Sequence, residues 1–450
     1  MNAHLPLNQP SPEIKRRTKV YIPVKYKFII GHIVAFLWLC FSVYVSIPWV
    51  FDLAHLVGFP LSVAIIAGLA YLPGYLTAFL VVSLLLDRQP PLKTAYPDKE
   101  VTILIAARNE ADKIENTLSY IAKQDYNGEI HVLLVDNGST DQTVENASRA
   151  AMRLGLNVTI LEEAKPGKFH ALNKGLEHVR TDLMITLDAD TLLHRSAVRY
   201  LIARIESAPV DVCAVAGAVL VRNSRENLLA RIQEWDYFLG IASIKRMQGL
   251  YQGTLVAQGA YSLYKTEAIR EVGGWPDALG EDIVLSWRLL EKGWRIYFEP
   301  HAVAFTDVPV SWLHFCRQRS RWARGMIEAL KVVKPWQQPQ WFVKYLTMVN
   351  LLLPYLDIIY TLCWLPGLIL AFFGYYYIVG PMTLLVVPLT LIAYGALYRY
   401  QRTVFRKLDL KIRKNRMGFV VFVLFYQMIM SPVSFWGYIQ ELVRLKRVWK

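Results

Sequence analysis

The sequence has few cysteines and little charge for its length. Four cysteines occur among 450 residues, and none forms a C-x-x-C pair. This usage excludes a disulfide framework or a cysteine-based zinc site, so we expect Cys40, Cys213, Cys316 and Cys363 to be buried, unreactive thiols. Charged residues make up 19% of the chain and hydrophobic residues 54%, whereas soluble domains carry roughly 25% and roughly 45–50%. The chain is therefore not soluble throughout, and its length allows two or three domains.

Positive charge exceeds negative charge by 14, which by itself is compatible with a nucleic-acid partner. However, many lysines and arginines border apolar blocks, in residues 15–27 before the first and 402–416 before the last. This placement is the positive-inside pattern of membrane proteins, with added attraction to anionic lipid. We therefore expect membrane lipid, and no nucleic acid, as a partner.

Apolar blocks at both ends of the sequence define its organisation. Each is long enough to cross a hydrocarbon core of ~30 Å. The first is too long for the apolar part of a cleavable signal peptide and a second follows, so we expect both to be retained. The predicted segments are a basic cytoplasmic tail (1–27), two transmembrane helices (28–86), a cytoplasmic catalytic domain (99–310), amphipathic interface helices (311–343), further transmembrane helices (344–440) and a basic tail (441–450).

The number of C-terminal membrane crossings is left open by the sequence. If the apolar blocks 344–373, 377–398 and 418–440 each cross once, the basic C-terminal residues lie outside, against the positive-inside rule. Either block 418–440 is a re-entrant hairpin at Ser431 and Pro432, or block 344–373 bends at one of its prolines.

Between the membrane blocks, apolar runs alternate with periodic polar segments. Four runs resemble buried parallel strands: 101–107, 130–136, 157–163 and 182–188. Segments such as 110–124 and 168–178 have helical periodicity. This alternation predicts a doubly wound, mostly parallel α/β sheet, whose ligands bind at the carboxyl ends of the strands.

Two polar motifs follow predicted strands. The first is A-R-N-E, in which Ala107, Asn109 and Glu110 could contact the ribose or base of a nucleotide or, equally, begin a helix. The second is V-D-N-G-S-T-D, in which Asp136 could accept a hydrogen bond from a base. In the same motif Gly138 permits a tight turn, and Ser139 or Thr140 could cap the next helix.

Two further motifs indicate a phosphate and a metal site. Lys168 lies in a glycine-flanked loop that opens a helix, a favourable place for phosphate. The motif L-D-A-D places Asp188 and Asp190 after a buried strand, where two carboxylates are costly without a cation. A hard ion, Mg²⁺ or Mn²⁺, shared with substrate phosphates would offset that cost.

The last two motifs lie on predicted helices. G-E-D contributes Glu281 and Asp282 at a helix start, either as dipole partners or with a general base among them. Q-R-S-R-W places Gln318, Arg321 and Trp322 on one helix face. Arginine can bind a diphosphate and an indole can stack on a sugar ring, although both residues also suit a membrane interface.

Taken in order, D-N-G-S-T-D, L-D-A-D, G-E-D and Q-R-S-R-W resemble the processive family-2 glycosyltransferases, which include cellulose, hyaluronan, chitin and poly-N-acetylglucosamine synthases. The resemblance implies a GT-A catalytic domain inserted between transmembrane helices, which form a polymer channel. It also implies inverting transfer from a UDP-sugar to a growing polysaccharide, with Mg²⁺ or Mn²⁺ as cofactor.

The resemblance also implies roles for individual residues. Glu110, Asp136 and Lys168 would hold UDP, Asp188 would touch the nucleotide and Asp190 would coordinate the metal. Asp282 would be the base, with Glu281 beside the substrate. Gln318, Arg321 and Trp322 would close over the diphosphate and the acceptor sugar.

Within the family, residues 232–246, 281–289 and 297–300 are most similar to the poly-β-1,6-N-acetylglucosamine synthases. Gly280, Asn137 and the stretch 258–260 differ from that subgroup, so hyaluronan-, chitin- and cellulose-type products stay open. A non-processive transferase that moves one sugar to a lipid, and a small accessory membrane protein as partner, also stay open.

Overall fold

The computed structural model describes residues 22–88, 90–380, 383 and 386–445. Of the predicted basic tails, 1–27 and 441–450, residues 1–21 and 446–450 lie outside the described residues, whereas the first helix already begins at Val24 and the last one ends at Leu442. Within the described part, long apolar helices flank an α/β domain on both sides in the chain.

The N-terminal membrane block forms two long helical segments. Helix α1 (Val24–Val57) is followed by α2 (Phe59–Ile66) and α3 (Leu72–Leu85), and one π-helical turn joins the last two. Both Val24–Val57 and Phe59–Leu85 are long and apolar enough to cross a membrane. The two predicted N-terminal spans therefore correspond to two helical segments.

The domain is built on a mixed eight-stranded sheet in the order β3-β2-β1-β4-β7-β6-β8-β5. Its strands are β1 (Val101–Ala107), β2 (Ile130–Asp136), β3 (Val158–Glu162), β4 (Leu183–Asp188), β5 (Leu192–Leu193), β6 (Val212–Val221), β7 (Tyr261–Lys265) and β8 (Arg295–Thr306). Strands β3, β2, β1 and β4 are parallel, whereas β7 is antiparallel to both of its neighbours. The four strands predicted from apolar runs are confirmed, and those runs form the parallel part because strands covered on both faces are apolar at nearly every position.

Helices cover both faces of the sheet. They are α4 (Ile114–Ala122), α5 (Thr143–Leu154), α6 (Lys168–His178), α7 (Ala197–Ser207), α8 (Leu228–Trp235), α9 (Ala242–Leu250), α10 (Thr266–Glu271) and α11 (Glu281–Glu291). Alternate residues of β1 show the two layers, since Ile103 and Ile105 belong to one core cluster and Leu104 to the other. The sheet therefore has a hydrophobic core on each side, as the doubly wound prediction requires.

The predicted interface region contains one long helix instead of two. Helix α12 (Trp312–Val332) confirms the first. The rest of the predicted 311–343 region does not form a second separate helix, because Pro335–Gln337 form a short 3₁₀ turn and the chain enters α13 (Trp341–Ile359) directly. Two prolines, Pro335 and Pro339, account for the difference, since each lacks a backbone donor and restricts the residue before it.

The C-terminal block contains α13, a π-helical turn (Tyr360–Trp364), α14 (Leu365–Phe372), α15 (Val386–Lys407) and α16 (Arg416–Leu442). By length and apolarity Trp341–Phe372 and Arg416–Leu442 are candidate membrane spans among the described residues. Helix α16 continues through Pro432, so of the two alternatives left open by the sequence the re-entrant hairpin at Ser431 and Pro432 is wrong. Along the 344–373 block, the helical irregularity is the π turn between Pro354 and Pro366.

The cysteine prediction holds only in part. Cys213 is buried in β6, and burial raises the pKa of its thiol, as expected for an unreactive side chain. Cys40, in contrast, is exposed on α1. Its apolar neighbours in the sequence do not imply burial in protein, because a membrane helix turns apolar residues towards lipid.

Candidate active site

The parallel strands bring the first predicted residues to one edge of the sheet. Strand pairing sets Ala107 of β1 beside Asp136 of β2, and Ala106 of β1 beside Asp188 of β4. Asp136 and Asp188 therefore end strands on either side of β1. This juxtaposition follows from the parallel arrangement, in which carboxyl ends share one edge.

Asp136 has one oxygen engaged and one available. Its Oδ2 accepts a hydrogen bond from the Ser139 backbone N–H at 3.1 Å. Among the described residues, its buried Oδ1 has no hydrogen-bond partner. A buried carboxylate oxygen in this condition is costly, so it suits a ligand that donates an N–H.

Ala107 and Asn109 accept hydrogen bonds from the loop that follows Asp136. The Ala107 carbonyl accepts the Asn137 N–H at 2.8 Å, and Asn109 Oδ1 accepts the Thr140 N–H at 2.8 Å. Asn109 has φ of 56°, a left-handed conformation that asparagine tolerates. These contacts tie the ends of β1 and β2 together, and direct contact of either residue with substrate stays a prediction.

The turn after Asp136 differs in detail from its prediction. Gly138 has φ of +71°, which confirms the tight turn. Gln142 is the N-cap residue of α5, and Asp141 Oδ1 accepts the Thr143 N–H at 3.1 Å, so the prediction of Ser139 or Thr140 as the cap is wrong. Ser139 Oγ instead accepts the Asn109 N–H at 3.0 Å.

A lysine absent from the sequence predictions joins two of the predicted carboxylates. Lys113 Nζ lies 3.5 Å from Glu110 Oε2 and 3.4 Å from Asp190 Oδ2. Burial, followed by the charge of Asp188, raises the pKa of Asp190 above its ordinary value. The only sequence signal for Lys113 was its i+3 spacing from Glu110, which many surface lysines share.

Lys168 links the other side of the site. Its Nζ lies 2.6 Å from Asp188 Oδ1 and 3.7 Å from Glu281 Oε1. Burial alone would lower the pKa of Lys168, but Asp188 and Glu281 raise it above its ordinary value. The L-D-A-D and G-E-D motifs are 93 residues apart in sequence, yet a carboxylate of each lies beside the Lys168 ammonium group.

Glu281 and Asp282 begin α11 beside the loop that follows α9. Asp282 Oδ2 accepts the Gly259 N–H at 3.3 Å, and its Oδ1 accepts the Ile283 N–H at 2.8 Å. Burial raises the pKa of Glu281 to about 7, against the opposing effect of Lys168. A side chain on Gly259 would approach Lys168 Nζ to 3.1 Å, so glycine keeps this junction open.

Helix α12 closes over the same region. Arg321 is close enough to Glu281 to lower the pKa of that carboxyl group, although less than Lys168 does. Cα of Gly325 would lie 2.8 Å from a Cβ at Gly280. This close crossing accounts for glycine at position 280.

The Q-R-S-R-W residues divide into two groups. Gln318, Arg321 and Trp322 are at least partly accessible, and among the described residues the buried Gln318 Oε1 lacks a hydrogen-bond partner. Arg319, which the sequence predictions omitted, is buried 4.1 Å from the Trp322 ring centroid and 2.9 Å from Asp236 Oδ2. Periodicity could not separate the two arginines, because an interface helix has charge on more than one face.

Lys245 of α9 is a second cation, partly buried, that the sequence did not reveal. Its Nζ donates to the Val256 carbonyl at 3.1 Å, and burial lowers its pKa to about 7, opposed by Asp282. In the part of the chain that the structure describes, it forms no ion pair within 4.0 Å. Lys245 thus contacts the loop 256–260, whose Gly259 N–H binds Asp282.

The residues present fit a divalent cation shared with substrate. Asp188 and Asp190 are neighbouring hard-oxygen donors, and burial, followed by the charge of Asp188, raises the pKa of Asp190. No three metal-ligating side chains converge among the described residues. This is the arrangement expected for Mg²⁺ or Mn²⁺, which are commonly held by one or two carboxylates and completed by substrate phosphates and water.

Known proteins are similar to this domain in sequence and in fold. Poly-beta-1,6-N-acetyl-D-glucosamine synthase of Staphylococcus aureus (strain MSSA476) is 32% identical over 266 residues, which are 58% of this chain and 64% of that protein. The Staphylococcus epidermidis protein of the same name is 30% identical over 278 residues, 61% of this chain and 66% of that protein. The matched region is thus less than two thirds of the length of either relative.

Among solved structures, mannosyltransferase PcManGT from Pyrobaculum calidifontis, in complex with GDP-Man and Mn²⁺, superposes with a TM-score of 0.57. It is 20% identical and covers 85% of this chain and 98% of its own. This similarity confirms the predicted GT-A fold. The family described as glycosyltransferase like family 2 matches residues 97–325, about half of the chain, and the chain therefore belongs to glycosyltransferase family 2.

Proposed function

We propose that this chain is a membrane-bound inverting hexosyltransferase that polymerises UDP-N-acetylglucosamine into a β-linked poly-N-acetylglucosamine and passes the product across the membrane. The observation that carries the proposal is the junction at Lys168. Through it, the carboxylates suited to a nucleotide-bound cation lie beside Glu281 and Asp282, which are suited to the acceptor. Donor and acceptor chemistry therefore share one cleft.

The donor half would bind UDP. The free Oδ1 of Asp136 suits the N–H of uracil, and Lys168 suits a phosphate once the ligand competes for its contact with Asp188. Asp190 would hold Mg²⁺ or Mn²⁺, which, when bound, supplies positive charge against the diphosphate. Lys113, between Glu110 and Asp190, keeps that carboxylate oriented. The mannosyltransferase structure, with its Mn²⁺, supports this assignment.

The acceptor half would supply the base. Two backbone N–H groups, of Gly259 and Ile283, fix the carboxylate of Asp282. Asp282 would remove the proton of the acceptor hydroxyl as its oxygen attacks the anomeric carbon. The bond from that carbon to the UDP oxygen breaks, so the configuration inverts and UDP leaves with the electron pair.

Helix α12 would hold the diphosphate and the acceptor sugar. Arg321 faces the cleft near Glu281, and a guanidinium can bind a diphosphate bidentately. The unpaired Oε1 of Gln318 can accept a hydroxyl, and the accessible indole of Trp322 can stack on a sugar ring. Arg319 acts from behind by holding Trp322 in place.

The helix contacts support a specific membrane topology. Phe28 near the start of α1 contacts Tyr251 of the domain, whereas Trp49, about 30 Å further along the helix, donates to the Tyr377 carbonyl. The chain then returns through α15, because Phe405 packs on Phe238 of the domain. Helix α15 would therefore cross the membrane. The arginines near its C-terminal end make it less apolar than the other helices that would cross.

Helix α16, by the same reasoning, lies on the domain side. The Trp235 indole donates to the Asn415 carbonyl at its start, and Arg324 pairs with Glu441 at its end. The four crossings would then be α1, α2 with α3, α13 with α14, and α15. This count places Arg444 on the cytoplasmic side with the catalytic domain and satisfies the positive-inside rule.

The nature of the product is supported by the staphylococcal poly-beta-1,6-N-acetyl-D-glucosamine synthases, to which the chain is 30–32% identical. Growing polysaccharide would be the acceptor, and the crossing helices would form part of its channel. A small accessory membrane protein would be a further partner.

The direct test is incorporation of label by the purified full-length chain in lipid nanodiscs. UDP-N-acetylglucosamine with Mg²⁺ or Mn²⁺ should give long polymer that a β-1,6-poly-N-acetylglucosamine hydrolase degrades. The Asp282→Asn variant is the inactive control, because the carboxamide of asparagine has a shape similar to that of the aspartate carboxylate.

Three outcomes would contradict parts of the proposal. Label confined to a single sugar on lipid would refute polymerisation. Faster incorporation from another UDP-sugar would refute the donor, and polymer resistant to that hydrolase would refute the linkage.

A further inference from the structure

A cavity of about 600 Å³ lies outside the cleft, between the edge of the sheet and residues 405–413, which form the end of α15 and part of the connection to α16. Its walls are mainly apolar, formed by Leu193, Leu220, Trp235, Phe238, Phe305 and Phe405. A cavity of this size holds a ligand or part of one rather than a single water molecule, and a dry apolar wall favours hydrocarbon.

Basic side chains surround the apolar wall. Lys123, Arg195, Lys411 and Arg413 line the cavity, and none of the four forms an ion pair with any residue that the structure describes. Glu234, an acidic side chain in the same lining, is already paired with Arg225 at 3.1 Å. The cavity thus offers uncompensated positive charge around an apolar interior, which is complementary to an amphiphile with an anionic head.

The cavity lies beside the domain-side end of α15, which the proposed topology places at the membrane surface. Ile412 and Arg413, in its lining, come directly before Arg416, where α16 begins. Phe405, on the opposite wall, belongs to the domain-side end of α15. Basic pockets between membrane helices on the cytoplasmic side are suited to anionic lipid headgroups.

We propose that this cavity binds one anionic glycerophospholipid, with its phosphate on Lys411 and Arg413 and the adjoining part of an acyl chain against the aromatic wall. The lipid would also contact the metal-binding segment, because Leu192 and Leu193 follow Asp190 by two and three residues. Strand β5, which those two leucines form, pairs with β8. The turn that contains Asp188 and Asp190 therefore lies next to the cavity wall.

The test measures lipid retained by the purified full-length chain, by native mass spectrometry after exchange into detergent with phosphatidylglycerol or phosphatidylcholine. One phosphatidylglycerol per chain should be retained in preference to phosphatidylcholine. The Lys411→Gln/Arg413→Gln variant should weaken retention roughly thirtyfold, since each basic residue near an anionic headgroup contributes on the order of fivefold.

Two controls separate this site from general attraction to a charged surface. Arg399→Gln/Arg402→Gln removes the same charge from exposed positions of α15 outside the cavity and should retain the lipid. Leu220→Trp fills the cavity without altering charge and should exclude the lipid. Should Leu220→Trp fail to fold, the comparison of the two charge variants still decides the question.

The proposal is overturned if both charge variants lose phosphatidylglycerol equally, or if neither does. It is also overturned if the water-soluble headgroup, glycerophosphoglycerol, competes as strongly as the intact lipid, because the apolar wall would then have no part in binding. Because retention is measured without turnover, the result does not depend on the sugar that the enzyme transfers.

Discussion

Replacing Arg319 with glutamine should destabilise the domain, whereas the same replacement at Arg321, two residues away on α12, should abolish transfer and leave stability nearly unchanged. Arg319 is 2% exposed and pairs with Asp236, itself 10% exposed, at 2.9 Å. Arg321 is more accessible and faces Glu281 in the cleft. The two variants therefore separate a positioning residue from a substrate-binding one.

The expected loss of stability follows from the charged group, Asp236, that remains buried when Arg319 is replaced. Removing one partner of a buried ion pair costs about 3–5 kcal/mol. The Tyr426 hydroxyl still donates to Asp236 at 2.6 Å, so we expect the lower limit, about 3 kcal/mol, for Arg319→Gln. For a folding unit of 150–250 residues this corresponds to a fall in Tm of roughly 6–12 °C. Arg321→Gln should cost less than about 1 kcal/mol, as exposed charges do.

The assay combines thermal unfolding in detergent with label incorporation from UDP-N-acetylglucosamine. Arg321→Gln should keep its Tm and lose roughly a hundredfold in rate, the usual effect of removing a charge-stabilising donor. Adding Asp236→Asn to Arg319→Gln should restore part of the lost Tm, because the unpaired buried charge is removed as well.

The reasoning would be refuted if Arg319→Gln kept the wild-type Tm, or if the Asp236→Asn addition lowered it further by the full effect of the single change. A loss of Tm in Arg321→Gln as large as that in Arg319→Gln would likewise contradict the division between the two arginines.

Three further predictions concern the cleft and the membrane. Asp282→Asn and Asp190→Ala should each reduce transfer below detection while expression and Tm are retained, and unchanged turnover in either would disprove that residue's role. Lys245→Met should raise Tm most at low pH. The folded-state pKa of Lys245 is lowered to about 7, so its burial disfavours the folded protein below that pH and this penalty decreases as pH rises towards the unfolded value. A gain in Tm that is independent of pH between 6 and 9 would contradict this. In a chain whose four native cysteines are replaced by alanine, Tyr376→Cys should react with an impermeant thiol reagent from the outside of cells and Asp409→Cys only after permeabilisation; the reverse pattern would refute the proposed crossings.

The sequence was sufficient wherever a local pattern has one physical solution. The apolar runs at 101–107 and 130–136 became strands with the same limits, because a strand buried on both faces has no polar positions to alternate. Helix α6 also begins at Lys168 and ends at His178 as predicted, since Gly167 precedes it and an extended residue follows it. The order of the four motifs was enough to identify the family, and the match to residues 97–325 confirms it.

The sequence did not identify the residues that act through three-dimensional contact. Lys245 and Arg319 are basic residues in helices and Lys113 directly precedes one, and nothing in the local sequence distinguishes them from solvated residues. Their neighbours, Asp190, Val256 and Asp236, come from other elements. The effect of burial on charge depends on the full surroundings, so it emerges only when the fold is complete.

The membrane part shows the same division. Composition by itself established that both ends of the chain are apolar enough to enter lipid, because transfer into hydrocarbon depends on the summed side chains of each block. It could not indicate how each block is placed, since α16 is strongly apolar yet both its ends contact domain-side residues, whereas α15, which carries arginines, contacts the domain through Phe405. The sequence by itself thus determined the reaction family, the parallel strands and the candidate chemistry, while only the tertiary structure decided which cations face those carboxylates and where each helix begins and ends relative to the domain. The physical reason is that periodicity and apolarity are sums over neighbours in the chain, whereas charge pairing and helix placement depend on neighbours in space.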